Sequence, residues 1–172
     1  MGNLYMRVIR DDAAVLNSSS TISISNITQA NPAVVTATSH GRSNGDEVFI
    51  SDVSGMTEIN GRHFTVANVT TNTMELTSQV DGTNIDSSNF TAYTSGGSVS
   101  QIYEITTPYA QADLTSIRYA QSADTMILTH PSYAPRKLTR TDHDAWTLTE
   151  ITFAPEIDDP TGLSLTVNPP GS

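Results

Sequence analysis

The chain has 172 residues, 37% of them hydrophobic and 15% charged, with a formal net charge of −10 and no cysteine. That length supports one or two domains whose core buries roughly two-thirds of the unfolded surface. The acidity disfavours a nucleic-acid-binding role, since phosphate contacts need clustered Lys and Arg and only 8 basic residues exist. The lack of cysteine excludes disulfides, thiolate metal sites and cysteine nucleophiles, and no apolar run approaches the roughly 18 residues of a membrane helix.

Ser and Thr together number 45 while Lys and Arg number 8. Thr suits pleated, half-buried surfaces, so the profile predicts an all-β protein. Residues 5–10 read as a strand; they carry charge and alternate, unlike the apolar stretch of a signal peptide. Asp11-Asp12 turns the chain into residues 13–16, completing a hairpin. Asn17-Ser18-Ser19-Ser20-Thr21 reads as a loosened boundary. Ile22 and Ile24 then alternate with serines, Asn31-Pro32 breaks the pattern, and residues 33–38 form a further short strand.

The middle of the chain is a run of strands punctuated by turn signals. Residues 40–46 are a loop, and residues 47–51 a strand with Val48 and Ile50 on one face. Residues 55–61 are a second loop, ending in Asn60-Gly61, a pair that supplies the positive φ of tight turns. Residues 62–69 turn Phe64 and Val66 inward, 70–72 reverse the chain, and 73–77 turn Met74 and Leu76 inward. Turn signals about 8–12 residues apart suit a small barrel or sandwich. Ser95-Gly96-Gly97-Ser98 reads as a second loosened boundary.

Beyond Val99, Thr107-Pro108 resembles a helix start and predicts one or two helical turns over residues 108–114. Residues 116–121, 125–129, 137–140 and 145–153 read as four strands of an open antiparallel sheet, like one propeller blade. Trp146 and Leu148 share one face of the last, and Ile151 and Phe153 the other, a phase shift that predicts a bulge or two-sided burial. Prolines then frame Leu163, Leu165 and Val167, which alternate like the first strand of another domain; with the abrupt start at Met1, this reads as a fragment of a longer protein. The expected organisation is an antiparallel β platform (1–24 and 100–154), interrupted by an inserted small β-barrel (25–99), then a linker and the start of a further domain (155–172).

Chemistry is sparse. His130 and His143 with Asp142 and Asp144 contain metal-ligand types, but residues 141–145 fall between two strands, where Asp and His favour turns. Asp81-Gly82-Thr83-Asn84-Ile85-Asp86 lacks the ligand alternation and closing Glu of a calcium loop. His40 and His63 have no base or nucleophile near them in sequence, and no serine lies in a G-x-S-x-G elbow. No catalytic, cofactor or metal residue is therefore expected. Arg136, Lys137 and Arg140 form the one basic cluster, read as a solvated or salt-bridged edge strand or, functionally, as a contact with an acidic neighbouring subunit. Phe49, Phe90 and Tyr93 are the candidate exposed aromatics for surface binding.

Two resemblances add to this. Residues 31–99, with Ser39-His40-Gly41, Asn44-Gly45-Asp46-Glu47-Val48 and Gly55-Met56-Thr57-Glu58-Ile59-Asn60-Gly61-Arg62, look like a phage-borne module distantly similar to the first catalytic-cysteine half-domain of ubiquitin-activating enzyme. That resemblance implies a small β-barrel, without thioester chemistry because cysteine is absent. Tyr5-Met6-Arg7-Val8-Ile9-Arg10 and Tyr103-Glu104-Ile105-Thr106-Thr107-Pro108-Tyr109 are similar to tail proteins of double-stranded-DNA phages. The similarity continues through Ala112-Asp113-Leu114, Gln121-Ser122-Ala123-Asp124, His130-Pro131 and Pro135-Arg136-Lys137-Leu138-Thr139-Arg140 to Trp146. The tail tubular, or nozzle, proteins of short-tailed phages are the nearest match.

The resemblance implies a structural virion protein of a tail tube, nozzle or adaptor, assembled in the host cytoplasm. Its partners would be copies of itself and neighbouring tail proteins, with DNA passing through without specific binding and no membrane insertion. The alternative is a receptor- or glycan-binding module of a tail; a polysaccharide-degrading tail enzyme stands last.

Overall fold

The computed structural model describes residues 1–153. The expected linker and first strand of a further domain at 155–172 lie outside the described residues. The fold is all-β, with strands β1 (Tyr5–Arg7), β2 (Ile9–Arg10), β3 (Ala13–Ala14), β4 (Ile22–Ser23), β5 (Asn26–Ile27), β6 (Val34–Thr36), β7 (Glu47–Ser54), β8 (Arg62–Ala67), β9 (Thr73–Thr77), β10 (Ser95–Gln101), β11 (Glu104–Thr106), β12 (Arg118–Ser122), β13 (Thr125–His130), β14 (Tyr133–Asp142) and β15 (Ala145–Glu150).

Seven strands form one antiparallel sheet in the order β4-β10-β7-β8-β9-β6-β5. Its two edge strands are consecutive in sequence, and this dictates the curl. The Ile24 N–H donates to Gly97 O at 3.0 Å on the β10 side, and the Ser25 N–H to Thr36 O at 2.9 Å on the β6 side. One bent segment thus serves both margins, and the sheet curls until they meet.

The period-2 pattern explains the core. Val48 and Ile50 on β7, Phe64 and Val66 on β8, Met74 and Leu76 on β9, Val35 on β6 and Val99 on β10 are at most 1% exposed. Each contributes about 1.5–3 kcal/mol by leaving water. Met56 and Ile59, at a 3₁₀ turn (Thr57–Ile59), join the same cluster. The Asn60 side chain pins that turn, accepting from the Val53 N–H at 2.9 Å and donating to its carbonyl at 2.8 Å.

The reading of Ser95-Gly96-Gly97-Ser98 as a loose boundary is corrected: these residues open β10, an interior strand paired with both β7 and β4. Glycine is needed there by close approach. Asp52 has φ 60°, which shifts the alternation of β7 and returns Val53 to the core. A Cβ on Gly97 would lie 2.4 Å from the Val53 Cγ2. β7 itself runs three residues past the predicted strand. The run 17–21 is also ordered, as a 3₁₀ turn (Ser18–Ser20) in which the Ser19 N–H donates to the Asn17 side chain.

Around this sheet lies a second unit. β2 and β3 form a hairpin, but β1 pairs with β11, Met6 opposite Ile105, joining segments about a hundred residues apart. β12, β13, β14 and β15 form a four-stranded antiparallel sheet in sequence order. Met6, Ile105, Tyr109, Leu128 and Leu138 make its core. The helix predicted at 108–114 is instead a 3₁₀ turn (Gln111–Ser116) with no side-chain cap. Tyr109, fully buried, anchors the backbone ahead of it. The predicted strand 137–140 is ten residues long, and β15 ends at Glu150, so Ile151 and Phe153 fall beyond it. The irregularity expected in that strand lies at its start, where the register with β14 shifts between Arg140 and Asp142.

Candidate functional site

The densest polar construction is the joint between the curled sheet and the smaller unit. Arg7 on β1 faces away from buried Met6. Its Nε and Nη2 donate to Glu104 Oε1 at 2.8 and 2.6 Å, and its Nη1 to Glu47 Oε2 at 2.9 Å. Glu104 is its cross-strand neighbour on β11, whereas Glu47 opens β7, so one guanidinium ties both units. Burial works against the charge of Arg7, but hydrogen bonds and attraction from Glu47 and Glu104 outweigh it and raise its pKa. Gln79 adds a 2.8 Å bond to Glu47. Arg7, Gly45, Asp46, Glu47, Gln101, Ile102 and Glu104 line a polar cavity of about 80 Å³.

Arg42 closes the neighbouring end of the curled sheet itself, tying β10 to the turn that leads into β4. It is 8% exposed, and its guanidinium donates to Ser20 O and to Gln101 Oε1, the latter at 3.4 Å. Burial lowers its pKa, opposed by the nearby Asp46 charge. Across the joint, Asp144 Oδ2 accepts from the Ser18 N–H at 2.8 Å and its hydroxyl at 2.5 Å. Those bonds hold the Asp144 carboxyl below the ordinary carboxylate pKa.

The sequence-selected residues fall elsewhere. β14 is an interior strand, not the expected edge, because β13 and β15 flank it. Arg136 pairs with Glu150 on β15 at 3.0 Å, and Arg140 lies 3.8 Å from Asp124 and 3.3 Å from His143 Nδ1. Both stand on the Leu138 face, whereas Lys137 points exposed from the other, so alternation splits the cluster. The aromatics expected to be exposed are half-buried. Phe90 and Tyr93 pack on the barrel core, with the Tyr93 hydroxyl within 3.1 Å of the Ile24 and Gly96 carbonyls. Phe49 alternates with core residues, so it faces out of the curled sheet, its ring 4.9 Å from that of His63.

His143 and Asp144 form the turn between β14, which ends at Asp142, and β15, and Asp81 accepts from Thr83 within its own loop. Among the described residues no three His, Asp or Glu side chains are grouped as metal ligands. His130 instead packs against Tyr133 at 4.9 Å and borders a hollow of about 320 Å³ with Ser116, Arg118, Thr129 and Pro131. Sequence reasoning missed the joint, since Arg7, Glu47 and Glu104 carry no local motif.

These elements define the class of the protein as all-β, a curled antiparallel sheet set on a smaller β unit. Residues 30–103 match the family model of the ubiquitin-activating enzyme E1 FCCH domain, a span that includes strands β6 through β10. That domain alone gives no catalytic activity. No curated protein sequence matches the chain. No described helix is long and apolar enough to cross a membrane.

Proposed function

We propose that the chain is a structural virion protein, a ring-forming subunit of a phage tail tube, nozzle or adaptor, involved in DNA passage or host attachment. The observation that carries this reading is the pairing of the two flanks as β1 and β11, which makes one unit of the segments whose motifs resemble phage tail proteins. The joint supports it, because a sheet tied down at Arg7 and Asp144 transmits load as part of one body. A net charge of −10 suits a conduit, since negative walls repel phosphates and keep DNA from sticking. Electron microscopy of the full-length protein and mass spectrometry of purified virions test it. Rings and virion peptides are expected; finding neither rejects the proposal.

The second reading is a receptor- or glycan-binding module of a tail. Phe49 favours it, as an outward aromatic braced by His63 on the sheet surface. Binding of the whole chain to host cells or a glycan array, lost in Phe49→Ala with an unchanged melting curve, is the expected result. Silence on both surfaces returns the sheet to a structural role.

A further inference from the structure

The four-stranded sheet leaves one long margin open among the described residues. β4 and β5, the margins of the curled sheet, have two residues each, and β15 lies against β11. β12 has five residues, all exposed, in unbroken register with β13. Natural edges of this length are blunted with Lys, Pro or bulges. β12 has none of these, and its one charge, Arg118, stands at its end. Tyr119 lies opposite Leu128 on the core face of the sheet, yet it is 72% exposed.

We propose that β12 pairs antiparallel with β12 of a second copy, about a two-fold axis at Ala120, joining the two four-stranded sheets into one. Charge decides for a second copy. Two chains of net charge −10 repel wherever carboxylates face each other, and β12 contains none. Antiparallel pairing about Ala120 sets Arg118 opposite the partner's Ser122. The chain reverses directly after Ser122, and Asp124 in that turn, whose side chain is 69% exposed and 3.8 Å from Arg140, puts a carboxylate near the end of the strand where the partner's Arg118 arrives. Symmetry makes this attraction twice over, and it sets Tyr119 opposite the partner's Gln121, covering its ring. A five-residue strand pair falls short of the roughly 1,200–2,000 Å² of stable interfaces, so the dimer is reversible and concentration-dependent. The contact is isologous and closes at two, distinct from the head-to-tail contacts of a ring, and it does not rest on the tail reading.

The absence of cysteine makes the test clean. Facing residues of an antiparallel pair have Cα atoms about 4.5–5.5 Å apart, within the span of a disulfide. Under mild oxidation Ala120→Cys is expected to form covalent dimer about tenfold faster than Thr147→Cys, an exposed position on β15. Sedimentation velocity of the unaltered chain should show dimer growing with concentration up to about 100 μM. Ala120→Lys, which sets two ammonium groups on the axis, should be monomeric with an unchanged circular dichroism spectrum. Equal cross-linking of the two cysteines, a monomer throughout the unaltered series, or a dimer that survives Ala120→Lys would overturn the proposal.

Discussion

Arg7→Met tests whether the joint binds the two β units energetically. Methionine keeps much of the aliphatic stem and removes the charge, leaving Glu47, Glu104 and Asp46 around a small cavity without their cation. A fully exposed ion pair contributes roughly 0.2–1 kcal/mol, and breaking a buried one costs roughly 3–5 kcal/mol. The side chains of Arg7, Glu47 and Glu104 are 24%, 29% and 40% exposed, which places them between these limits and nearer the first. Solvent screening then leaves about 1–2 kcal/mol for Arg7→Met, or about 3–6 °C in melting temperature for a chain of this size. The share crossing the joint is isolated by a double-mutant cycle with Glu47→Gln, measured by urea denaturation. We expect the double variant to lose about 1 kcal/mol less than the sum of the single losses. A coupling below about 0.3 kcal/mol would mean that Arg7 and Glu47 are neighbours without being partners, and the clamped joint would fall with it.

Three further predictions follow from local geometry. Gly55→Ala should destabilise by about 3 kcal/mol or more, because Gly55 has φ +90° and an added Cβ would lie 2.1 Å from the Ala92 carbonyl; a thermal melt within one degree of the parent contradicts this. Asp144 has a depressed folded pKa, so its contribution is present above the ordinary value near 3.8 and is lost as pH falls through the folded value. The single Trp146, whose Nε1 donates to His143 O at 2.9 Å, should report that acid transition, and Asp144→Asn should remove this part of it; an identical acid titration in the variant refutes the link. Leu128→Ala, at a fully buried position, should cost about 2–5 kcal/mol, with the loss seen by Trp146 fluorescence in the same sheet.

The sequence made the barrel strands legible wherever alternation was regular. Val48 and Ile50, Phe64 and Val66, and Met74 and Leu76 are inward as expected, since period-2 burial needs no tertiary information. β10 was hidden because Ser95-Gly96-Gly97-Ser98 carries the composition of a turn, while its glycines answer a contact with Val53 from a distant strand. The predicted helix failed for a related reason: Pro108 gives a local start signal, but burial of Tyr109 and a Tyr133 hydroxyl donating to Asp113 at 2.7 Å fix a tighter turn. The joint is assembled from positions 7, 47 and 104, and no spacing rule connects them. Alternation alone shows that Arg7 points away from Met6, which gives direction without destination.

Where the curled sheet leaves the smaller unit and returns, the chain nearly touches itself. Leu16 and Ile102 form an isolated bridge, the Tyr103 N–H donates to Val15 O at 2.8 Å, and the Asn17 N–H to Gln101 O at 2.8 Å. Opposed residues of such a bridge stand only about 4.5–5.5 Å apart, a gap that a two-residue hairpin turn spans. The smaller unit therefore has a natural graft point: excising residues 17–101 and joining Leu16 to Ile102 through Asn-Gly should leave its strands and register in place. The same geometry lets a lineage acquire, discard or exchange the larger cassette without redesigning what carries it.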